Sequence, residues 1–224
     1  MNVLQKKSAL VAGATGLIGK QLVDELLQSD SYAEVRVLVR GPIDIQHPKL
    51  TKVHFDFDHP DTSLIRGDDV FCCIGTTMKK AGSKEAFIKV DHDYPLQIAR
   101  AAIQNGSDQF LIVTAMGADP DSSFFYNRVK GNVEEDLKKV GFSALHIFRP
   151  SLLLGNREEK RVGEKIGEVL MNIFGPLMVG PLKKYRAIDS AKVAKAMVVA
   201  AQDPIVDQVP QGAFVHESEK MQRF

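Results

Sequence analysis

The segment that most constrains this chain is Gly13-Ala14-Thr15-Gly16-Leu17-Ile18-Gly19, because of what lies on either side of it. Ser8 to Ala12 precedes it and reads as a short apolar strand. Leu17 to Gln28 follows, with Ile18, Leu22 and Leu26 on one helical face. Glycines at this spacing between a strand and a helix have separate physical tasks. Gly13 permits the tight turn out of the strand, Gly16 lets the backbone approach a ligand, and Gly19 lets the helix pack closely on the sheet. Unpaired N–H groups and the positive helix end then face the space above the loop, which suits a diphosphate. Gly13, Thr15, Gly16, Leu17, Ile18 and Gly19 are the residues expected to hold it.

The strand-then-helix alternation continues. Val35–Val39, Val53–Phe55, Val70–Ile74, Phe110–Thr114 and Ala144–Phe148 read as strands. Helical sequence runs from beyond Ser83 to Gln104, from Phe124 to Val140, and from a cap at Asp189 to about Ala201, with Ala213–Val215 as a last strand. This predicts the α/β class: a Rossmann-type doubly wound parallel sheet with a short C-terminal substrate-side extension. Pro95 interrupts the long helical stretch, so Asp91 is expected to cap a fresh helix with Pro95 in its first turn. The tail after Glu217 is polar and is expected to fray. At 224 residues the chain suits one nucleotide-binding domain spanning 1–224. Within it, 156–186 forms the extension. Its apolar stripe of Ile166, Val169, Leu170, Ile173 and Phe174 would pack into the core, join a homodimer or roof a substrate.

The formal net charge of +1 points away from a nucleic-acid partner, and Lys183–Arg186 reads as a solvated basic face. No apolar stretch is long enough to cross a bilayer. Lys6 and Lys7 precede an apolar run that Gly13 and Gly16 cut short, which is unlike a secretory leader. Cys72 and Cys73 are adjacent on a strand and point to opposite faces, so no bridge between them is expected. A soluble, cytoplasmic protein in a reducing compartment follows as the expectation. His47, His54, His59, His92, His146 and His216 form no ligand pair of known spacing, and no metal site is expected.

Strand two ends Val37-Leu38-Val39-Arg40, with a base where NAD-selective sites keep an acid for the ribose hydroxyls. A guanidinium grips a 2′-phosphate in a bidentate manner, so NADP(H) is the expected cofactor; a solvated strand-end charge is the plainer reading of Arg40. Tyr126 and Lys130 share a helix face four residues apart. A phenol ordinarily ionises near pH ~10. A lysine one turn away favours the phenolate, which lets the tyrosine exchange a proton near neutrality.

Taken together, Gly13–Gly19, Val37–Arg40, Val90-Asp91, Gly117-Ala118-Asp119, Tyr126 with Lys130-Gly131, and Phe148-Arg149-Pro150 resemble the atypical short-chain dehydrogenase/reductases. The similarity is to their NAD(P)H-binding group, which includes a human Tat-interacting protein and its bacterial relatives. It implies NADP(H) across the strand ends, a Tyr126/Lys130 pair beside the nicotinamide, and Asp56–Asp58 flanking the adenine. It also implies close backbone approach at Gly75-Thr76-Thr77 and at Pro150-Ser151-Leu152. The family keeps a hydroxyl at the end of strand five, here Thr114, to orient the substrate oxygen; relatives often show two serines, and the second position here is Ala115. The resulting expectation is an oxidoreductase moving hydride to or from a small carbonyl or alcohol, with Tyr126 as acid/base. A dinucleotide sensor without chemistry is the alternative, favoured by Ala115 and Met116 and opposed by Tyr126 and Lys130.

Overall fold

A computed structural model describes residues 6–155, 185–203 and 212–224. The first strand, β1 (Lys7–Ala12), runs into the glycine loop and then α1 (Leu17–Gln28). Strands β2 (Tyr32–Val39) and β3 (Leu50–His54) follow, and then β4 (Asp69–Cys72). Two short helices, α2 (Met78–Ala81) and α3 (Lys84–Ile88), lead through a π-helical turn at Lys89–Asp93 into α4 (Tyr94–Gln104). Next come β5 (Gln109–Val113), α5 (Phe125–Lys138) and β6 (Ala144–Arg149). A two-residue pair, β7 (Leu153–Leu154) with β8 (Ile188–Asp189), precedes α6 (Ser190–Ala201), β9 (Gly212–Glu217) and α7 (Ser218–Met221).

Seven strands form one sheet in the order β3-β2-β1-β4-β5-β6-β9, and every pairing is parallel. The central strands are buried on both faces, as helices on each side require. Alternation along them feeds two cores. Ala9, Val11, Phe71, Leu111 and Phe148 pack toward α1 and α6. Leu10, Ala12, Val70, Cys72, Phe110, Ile112 and Ile147 pack toward α4 and α5. The chain builds β2 and β3 on one side of β1, then crosses to build β4, β5, β6 and β9 on the other. A crevice at the strand carboxyl ends, between β1 and β4, is the geometric result, and ligands settle at such a reversal.

Two expectations require correction. Asp91 does not cap a new helix. The chain stays helical through the π turn, and the residue at the N-cap of α4 is Asp93, in αR conformation with no side-chain cap. Pro95 has no N–H to donate four residues back, so a wider turn absorbs the missing bond without breaking the helix. The C-terminal tail is also more ordered than its polarity suggests, because Ser218 and Met221 of α7 are each 1% exposed and Met221 joins the core beside α6.

Candidate functional site

The loop after β1 is shaped by contacts that only glycine permits. Gly13 has φ +88°, and a Cβ there would lie 2.6 Å from the Cys73 carbonyl carbon. A Cβ on Gly19 would lie 2.1 Å from the Gly13 carbonyl oxygen. The Gly16 N–H donates back to that same oxygen at 2.9 Å. Gly16 is the N-cap of α1, no side chain caps the helix, and no acid occupies its first turn. The leading amides of Leu17, Ile18 and Gly19 therefore point at the crevice with the positive helix end behind them. Thr15 is exposed at the loop tip, and Leu17 is half-buried. This cradle fits the diphosphate of a dinucleotide on its own geometry.

Across the crevice, α5 presents Tyr126 and Lys130 one turn apart. Tyr126 is 41% exposed, and its ring packs against Phe87 with centroids 5.8 Å apart. Lys130 is buried, and its Nζ lies 2.7 Å from Asp91 Oδ1. The other carboxylate oxygen, Oδ2, accepts the Thr76 amide hydrogen at 2.8 Å. Burial alone would push the Lys130 ammonium down, but Asp91 and then Tyr126 more than offset it, and the net shift is upward. Gly75 is exposed directly above this pair, with a Cβ position 3.4 Å from Asp91 Oδ1 and 3.9 Å from Lys130 Nζ. The structure thus gathers Tyr126, Lys130, Gly75 and Thr76 on the side of the crevice facing the glycine loop. Gly131 explains how α5 comes so near the strand-five loop: a Cβ there would sit 2.2 Å from backbone atoms of Asp119 and Pro120.

Thr114 lies just beyond β5, but its hydroxyl is directed elsewhere. It donates to Glu134 Oε1 at 2.6 Å, in a buried position. Glu134, itself 1% exposed, also takes both arms of Arg149, through Nε at 3.1 Å and Nη2 at 2.5 Å. A hydroxyl has one proton to give, and here it goes to Glu134. The Thr114 proton is engaged by Glu134, and through it Thr114 helps tie β5 to α5 and β6. Pro150 is buried after β6, and its carbonyl accepts the Met116 amide at 2.9 Å, closing the loops after β5 and β6 together.

At the other end of the crevice Arg40 is exposed after β2. The side chains grouped nearby are Asp58, Lys89 and Tyr94. Asp58 pairs with Lys89 at 2.6 Å and accepts from the Tyr94 hydroxyl at 2.5 Å, and Arg40 adds to the positive field at Tyr94. The hydrogen bonds from Lys89 and Tyr94 hold the exposed Asp58 carboxyl below the usual range.

Glu134 takes no part in the sequence reading, and Asp91 enters it only as a helix cap and as part of the family pattern. Glu134 follows Tyr126 and Lys130 at the same four-residue interval, a signal that was available. Asp91 carried none beyond the family pattern. The stripe Ile166–Phe174 and most of the 156–186 extension lie outside the described residues. Among the described residues no cluster of three or more metal-ligating side chains occurs, and no helix is long and apolar enough to cross a membrane.

A family model described as NAD(P)H-binding matches residues 13–204. Protein HTATIP2 of Rattus norvegicus is 35% identical over 201 residues, spanning 87% of this chain and 81% of its own length. Protein FMP52, mitochondrial, of Coccidioides immitis is 31% identical over 217 residues, spanning 90% and 88% respectively. A short chain dehydrogenase family protein from Francisella tularensis has a TM-score of 0.62, covers 96% of this chain and 98% of its own, and is 15% identical, which is a likeness of fold.

Proposed function

The chain belongs to the NAD(P)H-binding family of atypical short-chain dehydrogenase/reductases, and on that footing we propose that it is an NADP(H)-dependent oxidoreductase acting on a small carbonyl or alcohol. The observation that carries this reading is the buried Lys130 ammonium one turn from the half-exposed Tyr126, across the crevice from the glycine cradle. A solvated helix surface would not enclose that lysine.

In this reading the loop of Gly13, Thr15, Gly16, Leu17, Ile18 and Gly19 cradles the diphosphate, with the leading amides of α1 facing it while the Gly16 N–H stays on the Gly13 carbonyl, and Arg40 holds the 2′-phosphate. Lys130 holds the nicotinamide ribose, and the Gly75-Thr76 and Pro150 backbones close around the nicotinamide end. When bound, the cofactor supplies or takes up hydride. Tyr126 stands at the crevice mouth, donates its phenolic proton to the substrate oxygen in reduction and accepts it in oxidation. Lys130 carries the positive charge that eases that exchange. Thr114 supports α5 through Glu134. We place the protein in the cytoplasm, needing neither nucleic acid nor membrane, although the name of the Coccidioides relative carries a mitochondrial label.

The test is direct. Load the protein with NADPH, offer a panel of aldehydes and ketones, and follow loss of reduced-cofactor absorbance with the parent and with Tyr126→Phe. The proposal expects turnover that falls about 10²–10⁴-fold in the variant, with cofactor binding kept. Binding with no turnover across the panel supports a dinucleotide sensor instead. The commitment of the Thr114 proton to Glu134, with Ala115 next to it, favours that second reading.

A further inference from the structure

Phe124 is 73% exposed, the barest large apolar side chain among the described residues. It stands at the N-cap of α5, just ahead of Tyr126. That position favours Ser, Thr, Asp or Asn, whose side chains take up a free helix amide. A phenyl ring cannot, and no side chain caps α5. The backbone here is held by other means. The Ser122 hydroxyl accepts from the Phe124 amide at 3.2 Å, and Arg128 Nη1 donates to the Ser122 and Ser123 carbonyls at 2.6 and 3.3 Å. A bare ring on a fixed segment, where local preference asks for a polar cap, is the kind of departure that marks a ligand site.

More apolar surface lies at the same end of the sheet. The strands are parallel, so the segments leaving β4, β5 and β6 all open at the carboxyl ends, where the crevice lies. Met78 opens α2 beyond the loop after β4, Ile88 closes α3, and Leu152 follows β6; all three are exposed. With Phe124 and Tyr126 they make five of the eight exposed large apolar side chains among the described residues. Isolated apolar residues are normal on any surface, whereas a gathering at one end marks a contact site. The gathering includes the phenol itself, because buried Phe87 packs on both Phe125 and Tyr126 with centroids 5.6 and 5.8 Å apart. A sugar would need donors and acceptors around its hydroxyls. Thr114 gives its proton to Glu134, and Ala115 and Met116 come next.

We propose that the crevice mouth beside Tyr126 receives an apolar chain or ring, so that the substrate is a medium-chain or aromatic aldehyde or ketone, or the matching alcohol. The proposal rests on the oxidoreductase reading above and names its substrate class. In reduction the carbonyl carbon gains the hydride of NADPH and its oxygen gains the Tyr126 proton, giving the alcohol and NADP⁺; Tyr126 is reprotonated from water. A permanent cover over Phe124 and Tyr126 would shut the phenol away, so the occupant is the substrate.

The experiment measures kcat/KM of the full chain with NADPH for propanal, hexanal, octanal and glyceraldehyde, and repeats it with Phe124→Ser. Serine suits an N-cap, so this variant is expected to fold. The proposal expects a gain of about two- to fourfold for each added methylene, the range from partial to complete burial. It expects glyceraldehyde to fall below propanal, and the octanal-to-propanal ratio to drop about tenfold in the variant. Binding of acetamide, butanamide and hexanamide to the NADPH-loaded protein, read by calorimetry, gives the same dependence without chemistry. A flat aldehyde series, or glyceraldehyde equal to propanal, overturns the proposal and leaves the oxidoreductase reading standing. An unchanged series in Phe124→Ser, with a lost dimer or a lowered melting temperature, assigns the face to a second copy or to another segment of the chain and also overturns it. No turnover of any aldehyde overturns the oxidoreductase reading; amide binding that still strengthens with length upholds the apolar mouth, and amide binding without that trend overturns it as well.

Discussion

Lys130 Nζ lies 2.7 Å from Asp91 Oδ1, and neither side chain is more than 5% exposed. Removing two charges from water costs several kcal/mol per ion, which their attraction repays only with good geometry and further hydrogen bonds. The Thr76 amide supplies one such bond. A pair of this kind is a poor device for stability alone, and its position below the loop after β4 ties it to the crevice.

Breaking the pair from the lysine side is therefore costly. Lys130→Met leaves the Asp91 carboxylate buried without its cation, and a loss of about 3–5 kcal/mol is expected. Urea unfolding of Lys130→Met and of Asp91→Asn/Lys130→Met checks this. The double variant recovers a large part of the loss if the uncompensated charge is the cause.

Glycine substitutions separate local fit from conformational freedom. In Gly19→Ala the new methyl would stand 2.1 Å from the Gly13 carbonyl oxygen, which forces α1 away from the loop. Loss of NADPH binding and a destabilisation of about 1–3 kcal/mol are expected. Gly82 also has a left-handed φ, +78°, but nothing lies within 4 Å of its Cβ position. Gly82→Ala is expected to cost about 1–2 kcal/mol and to bind NADPH as the parent does. Calorimetric melting with parallel ligand titration measures both.

Thr114→Val keeps the shape of the side chain and deletes the 2.6 Å hydrogen bond to Glu134. A bond to a buried charged acceptor is worth about 1.5–3 kcal/mol, and that loss is expected in chemical denaturation. Cofactor affinity should be unchanged, as should any turnover that depends on Tyr126. Collapse of turnover in a variant of parental stability would return Thr114 to the substrate side.

Acid sensitivity is built into the far edge of the sheet. His146 Nδ1 and His216 Nε2 are 2.9 Å apart. Both rings are lowered to about 4, first by burial, then by His216 at His146 and by Lys220 at His216, with Asp203 opposing at each. An unfolded histidine takes its proton near 6.5. Between these values the unfolded chain holds more protons, so stability is full above about pH 6.5, declines as pH falls, and levels off near pH 4. His146→Phe/His216→Phe should flatten that slope, read as denaturation midpoints across the window. An unchanged slope would assign the acid sensitivity to other groups.

Much of the fold was legible because its determinants are local. Apolar strands buried on both faces mark β1, β4, β5 and β6 as continuous runs, and the glycine loop shows itself through its spacing between an apolar strand and an amphipathic helix. What escaped reading depends on distant partners. Asp91 looks like a helix cap in isolation, since nothing nearby in sequence shows that Pro95 calls for a π turn or that Lys130 waits on another helix. Thr114 sits where a substrate hydroxyl belongs, and only the arrival of Glu134 and Arg149 decides where its proton goes. Ser218 and Met221 are a polar-looking tail until the face of α6 covers them.

The measurement that bears most directly on the account is a binding titration of the purified, ligand-free protein with NADPH, NADP⁺, NADH and NAD⁺, repeated with Arg40→Ala. The account predicts micromolar-range binding of the phosphorylated pair, weaker binding of the other pair, and loss of that preference in the variant. A protein that binds none of the four at about millimolar concentration would contradict the claim that unpaired amides at the start of α1 form a dinucleotide site.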